Sequence, residues 1–235
     1  MSIGYTDLQH YSDIAAAIRS KNGSAATYTP AQMAAAILAI PTGATLDWGY
    51  ISGITVKNPT ASSSADLRGI DTSNFTTMKQ MFNGCSNLSS LKVSGWDTSN
   101  VTDMNATFQA CMNLTSLDLS GWDTASVTDM GAMFSMCRNL ESVYMPDFDT
   151  TSVTTVSNMF STCNNMQAII WSQKSTVQHI PSPGSNSWIP SGATVYVPDA
   201  LVSAYQSATN WSYYASQIDG ISNLPSYYKT LYGIN

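Results

Sequence analysis

The chain has 235 residues, 43% of them hydrophobic, which is enough for a substantial core and excludes global disorder. Charged residues make up only 10%. Fifteen acidic against nine basic residues give a net charge of −6, which excludes a nucleic-acid surface built from clustered Lys and Arg.

No apolar run approaches the ~20 residues of a membrane span. The opening MSIGYTDLQHYSDIAAAIRS lacks a basic stretch followed by an apolar one, so no secretory leader is expected. Residues 1–41 read as a helical attachment segment. Ser12 caps a helix over 13–21 with Gly23 beyond its end, and Thr29-Pro30 opens a second helix that Pro41 follows. Ile14, Ile18, Met33, Ile37 and Ile40 form its apolar stripes. A helical pair this small seldom folds alone and is expected to dock on a partner, on its own copies or on the rest of the chain. Residues 42–70 read as a linker and N-terminal cap with short β-like runs over 50–56.

Residues 71–174 divide into four repeats. Cys85, Cys111, Cys137 and Cys163 lie 26 residues apart, and such uniform spacing marks an internal repeat. Asp71, Asp97, Asp123 and Asp149 keep the same step, as do Phe82, Phe108, Phe134 and Phe160. Within a unit, Val101, Met104, Phe108 and Cys111 have the spacing of one helical stripe, predicting a short helix. Leu114, Leu117 and Leu119 then follow as L-x-x-L-x-L, a strand, and Gly121-Trp122 turns the chain into the next unit. No unit covers its own apolar face, so the units must stack.

Parallel strands pack ~4.8 Å apart and helices ~8–10 Å. The expected fold is therefore α/β: a short curved solenoid with strands on its concave side and short helices on its convex side. The unit at 149–174 loses the Gly-Trp pair, which predicts that the regular stack ends there. Residues 175–235 read as a C-terminal cap with a strand over 193–197 and a helix from 200 to about 218.

The stretches DTSNFTTMKQMFNGCSNLSSLKVSGW, DTSNVTDMNATFQACMNLTSLDLSGW and DTASVTDMGAMFSMCRNLESVYMPDF resemble the BspA-like leucine-rich repeats of bacterial surface and phage-associated proteins. TVYVPDALVSAYQSATNWSYYASQI resembles the closure of such proteins. SDIAAAIRSKNGSAATYTPAQMAAAILAIP is similar to N-terminal segments of tail and baseplate proteins of phages that infect Gram-positive bacteria. The resemblance implies a virion protein that recognises a host, or else a cellular surface adhesin.

Several residues invite chemistry. The cysteines sit one per unit, which suits a buried file of thiols better than a zinc site with ligands two to four residues apart. The aspartates can accept backbone N–H bonds in Asx turns, and one carboxylate per unit does not make a calcium cage. Trp96 and Trp122 could stack on sugars, but Phe148 in the third place favours a core position. His10 and His179 have no nucleophile implied beside them, and no G-x-S-x-G, H-E-x-x-H, Walker or dinucleotide fingerprint occurs. No catalytic residue, cofactor or metal is expected.

Strand alternation leaves Ser90, Lys92 and Ser94, then Ser116, Asp118 and Ser120, then Ser142, Tyr144 and Pro146, then Ala168 and Ile170 on the solvent face. Lys92, Asp118, Ser120, Tyr144 and Ile170 are the candidate ligand-binding residues. Small hydroxyls, one aromatic and few charges suit a neutral glycan or a polypeptide. The expected function is a non-enzymatic binding module on a phage tail that contacts a bacterial surface glycan or protein, with residues 1–41 joining it to tail or baseplate subunits. A cellular adhesin and a purely structural virion spacer are the alternatives. Display as a trimer would raise a weak single-site affinity by avidity.

Overall fold

The computed structural model describes residues 64–68, 72–171, 173–182 and 188–235. The expectations for residues 1–63, including the helical segment, the linker and the runs at 50–56, lie outside the described residues.

Among the described residues, seven strands form one parallel sheet in sequence order. They are β1 (Ser64–Asp66), β2 (Ser90–Lys92), β3 (Ser116–Asp118), β4 (Ser142–Tyr144), β5 (Ala168–Ile170), β6 (Thr194–Val197) and β7 (Ile218–Gly220). In the repeats each strand centres on the second apolar position of L-x-x-L-x-L, and that residue points inward: Leu91, Leu117, Val143 and Ile169 are all buried. Pairing joins equivalent positions of successive units, Ser116 to Ser142 and Ser142 to Ala168. The architecture is the expected parallel solenoid with a helical C-terminal cap.

The convex side differs from expectation. The segment holding Met104, Phe108 and Cys111 is not a helix but a run of tight turns. Two left-handed residues interrupt each run, at Ala106 (φ 56°) and Ala110 (φ 59°) and at Ala132 (φ 53°) and Met136 (φ 64°) in the next. An α-helix cannot pass through such positions. The freed amides bond to the next rung instead: Ala106, Phe108 and Ala110 N–H donate to the carbonyls of Gly131, Met133 and Ser135 at 2.8–2.9 Å. A third side is stitched likewise, with bridges running Thr77–Asp103–Asp129–Thr155. Backbone bonds thus tie each rung to the next on every side, and the strand–helix mismatch expected to bend the stack has no source.

The interior is filled by files of identical side chains. Phe82, Phe108, Phe134 and Phe160 stack nearly parallel at 5.4, 5.6 and 5.0 Å between ring centroids. Trp96 and Trp122 stack at 6.1 Å, and each indole N–H donates across the rung below, to Leu67 O and Val93 O at 2.8 Å. The tryptophans are core residues, not sugar platforms.

The stack begins earlier and ends later than the repeats suggest. β1 pairs in register with β2, so residues 64–68 open a further rung, and the agreement of SADL at 64–67 with SLKV at 90–93 is visible in the sequence. Past the last repeat, β6 and β7 add two further rungs. The helix expected over 200–218 is broken. It comprises a 3-10 turn at Asp199–Leu201, α1 (Val202–Ser207) and a 3-10 segment at Ser212–Gln217. Extended backbone at Ala208 (ψ 151°) and left-handed Asn210 (φ 67°) divide them. Trp171, Trp188, Tyr205 and Trp211 pack edge to face here and close the core. A further helix not expected from the sequence, α2 (Ser226–Tyr232), ends on left-handed Gly233 (φ 66°).

Candidate functional site

The outward positions of the strands form two files across the sheet. One runs Ser64, Ser90, Ser116, Ser142, Ala168, Thr194; the other runs Asp66, Lys92, Asp118, Tyr144, Ile170, Tyr196, Asp219. The second file is charged over its first three rungs, aromatic and aliphatic over the next three, and charged again at the last.

The first three rungs are open. Lys92 is exposed, and Asp118 and Ser120 are half-buried. Asp66 anchors the polar half: Arg68 Nη2 reaches it at 2.7 Å and Lys92 Nζ at 3.9 Å. The hydrogen bond from Arg68 holds the Asp66 carboxyl below its usual range. Asp118 Oδ1 accepts the Ser120 N–H at 2.9 Å, and Asp147 accepts the Gly121 N–H at 2.7 Å.

The other half is covered. Ile170, expected on the solvent face, is fully buried, as are Ser142 and Ala168. The C-terminal segment lies across them, so that Ile170, Ala168, Tyr196, Leu224 and Tyr228 form a small cluster apart from the main core, with Tyr144, Ile221, Tyr232 and Ile234 at its margin. Tyr144 packs against Tyr232 at 5.1 Å between centroids. The Tyr232 and Ser142 hydroxyls share a 2.7 Å hydrogen bond, and Tyr228 Oη donates to Gln167 Oε1 at 3.2 Å. Burial raises the phenol pKa of Tyr144, Tyr228 and Tyr232, the last most strongly. Lys92, Asp118, Ser120 and Tyr144 therefore share one accessible surface with Asp66 and Arg68, while Ile170 lies beneath the segment that bounds it. Sequence reasoning missed Asp66, Tyr228 and Tyr232. The signal for the tyrosines was present, because Tyr228 and Tyr232 lie four residues apart on one helical stripe between Pro225 and Gly233, with Leu224 four residues before them.

Elsewhere the candidate residues are built into the fold. Asp97, Asp123 and Asp149 each accept the N–H two residues on, at 2.9–3.1 Å, closing Asx turns. All four cysteines are buried thiols, and three donate to a phenylalanine carbonyl of the preceding rung, Cys111 to Phe82 O, Cys137 to Phe108 O and Cys163 to Phe134 O. The Cys163 thiol is pushed up to about 12 by burial. The Cys111 thiol is raised as well, first by the neighbouring Cys137 thiol and also by burial. Thiolate is the reactive form, so the native protein should not react with an aromatic disulfide reagent, whereas the unfolded chain should titrate fully. Rapid native labelling would show that the spine is open. His179 is exposed, with its carbonyl accepting from Thr150 Oγ1. Among the described residues, no group of three or more His, Cys, Asp or Glu could hold a metal ion.

Residues 54–173, more than half the chain, match a protein family described as "Mycoplasma protein of unknown function, DUF285". No curated protein matches the chain.

Proposed function

The chain belongs to the DUF285 family, and from that footing we propose that it is a non-enzymatic, cell-surface adhesin-type module of BspA-like character. Its sheet face contacts a glycan or polypeptide on another cell or on host matrix. The observation that carries this reading is the file Asp66–Lys92–Asp118–Tyr144. It changes at every rung and remains open, while the files of Phe and Cys beneath it hold constant to build the scaffold. Faces of stacked repeats are the usual binding surfaces of such proteins. The mixed charges favour a neutral or zwitterionic partner over a polyanion. The virion setting, in which residues 1–41 join the module to tail subunits, is supported by that segment's resemblance alone, and the family match begins after it.

In a whole-cell binding assay, Lys92→Ala/Asp118→Ala should weaken attachment by about tenfold or more while leaving the melting transition in place. Unchanged attachment by the folded double variant would reject the sheet face as the contact surface.

A further inference from the structure

The segment over the apolar half of the face differs from the rest of the cap. Strand pairing ends with β7 at Gly220. Beyond it, the chain is held on the sheet by side chains, chiefly the Tyr232–Ser142 and Tyr228–Gln167 hydrogen bonds and the small cluster around Ile170. That cluster is separate from the main core, which the Trp and Phe files close without it. The segment covers a surface continuous with the open one, because Asp118 pairs with Tyr144, Tyr144 with Ile170, and Ile170 with Tyr196 along a single file. Its outer side carries Tyr227 and Leu231, 63% and 43% exposed, among exposed polar residues such as Ser226 and Thr230.

We propose that residues 221–235 are a displaceable strap occupying the second half of the binding face, and that the ligand which replaces them is a polypeptide of the same chemistry. This rests on the reading of the sheet face as the contact surface. The strap specifies what that half accepts: an aliphatic residue and two aromatic hydroxyls four residues apart, with Ser142 and Gln167 as their polar partners. A ligand first engages Lys92, Asp118 and the accessible edge of Tyr144 on the open rungs. It then gains Ile170, Tyr196 and the rest of the Tyr144 ring as the strap lifts, and the apparent affinity is the intrinsic one multiplied by the fraction of time the strap is open.

The test uses the full chain. In hydrogen exchange, amides of 226–235 should exchange roughly tenfold or more faster than those of β4–β6, as a locally opening segment does. Tyr232→Phe, which keeps the ring but loses the bond to Ser142, should speed that exchange about three- to tenfold without altering β4–β6. A synthetic peptide of residues 221–235 should bind the Tyr228→Ala/Tyr232→Ala chain and be excluded from wild type, and the same peptide with both tyrosines replaced by alanine should bind neither. Strap amides that exchange only with global unfolding, or equal peptide binding by wild type and variant, would overturn the strap. Peptide capture in a variant whose cell attachment is insensitive to Lys92→Ala/Asp118→Ala would leave the strap standing and remove the adhesion reading instead.

Discussion

Phe108→Ala should destabilise the solenoid by about 3–5 kcal/mol, read as a drop in the urea midpoint at unchanged slope. The ring has no solvent exposure. It lies between Phe82 and Phe134 at 5.4 and 5.6 Å and against Trp122 at 5.9 Å. Removing it leaves a gap that neighbours cannot fill, because the backbone on that side is pinned above and below by the Phe108 N–H to Met133 O bond and its equivalents. Asp118→Ala, on the open face, should cost less than about 1.5 kcal/mol, the loss of one bond to the Ser120 N–H. Similar losses for the two would mean that the stacked rings do not hold the coil.

The second large effect falls on a residue that looks incidental. Thr98, Thr124 and Thr150 follow the repeat aspartates and are fully or almost fully buried. Thr124 Oγ1 donates to Asp149 O and accepts the Asp149 N–H, both at 2.8 Å, clasping the turn of the next rung. Thr124→Val keeps the shape but deprives two backbone groups at once, and should cost about 2–3 kcal/mol. Thr128→Val, whose exposed hydroxyl bonds a carbonyl already served by the Thr128 N–H, should stay within about 0.5 kcal/mol. Equal melting points for the two valine variants would show that the buried hydroxyl is not a staple.

Much of this arrangement was legible before any coordinates. The 26-residue step of Cys85, Cys111, Cys137 and Cys163 and the L-x-x-L-x-L phase locate the strands, their inward residues and their parallel stacking. The turn segment was misread because Val101, Met104, Phe108 and Cys111 have helical spacing, and that spacing also arises when successive tight turns each point one residue inward. What separates the two is the left-handed backbone at Ala106 and Ala110, which alanine does not announce as glycine would. Lys92, Asp118, Ser120 and Tyr144 were placed on the open surface from alternation alone. Ile170 was placed there by the same rule and is covered because residues 221–235 return across the sheet. Alternation along a strand reports which side a residue faces, not what distant segment lies on that side.

The uniform bonding of coil to coil has a consequence for how the length of such a chain can change. Every unit offers its neighbours the same hydrogen-bonding edge, so a whole 26-residue unit can be inserted or removed while the rungs on either side still pair. The reach of the stack and the number of variable positions it displays then change together, in whole-unit steps.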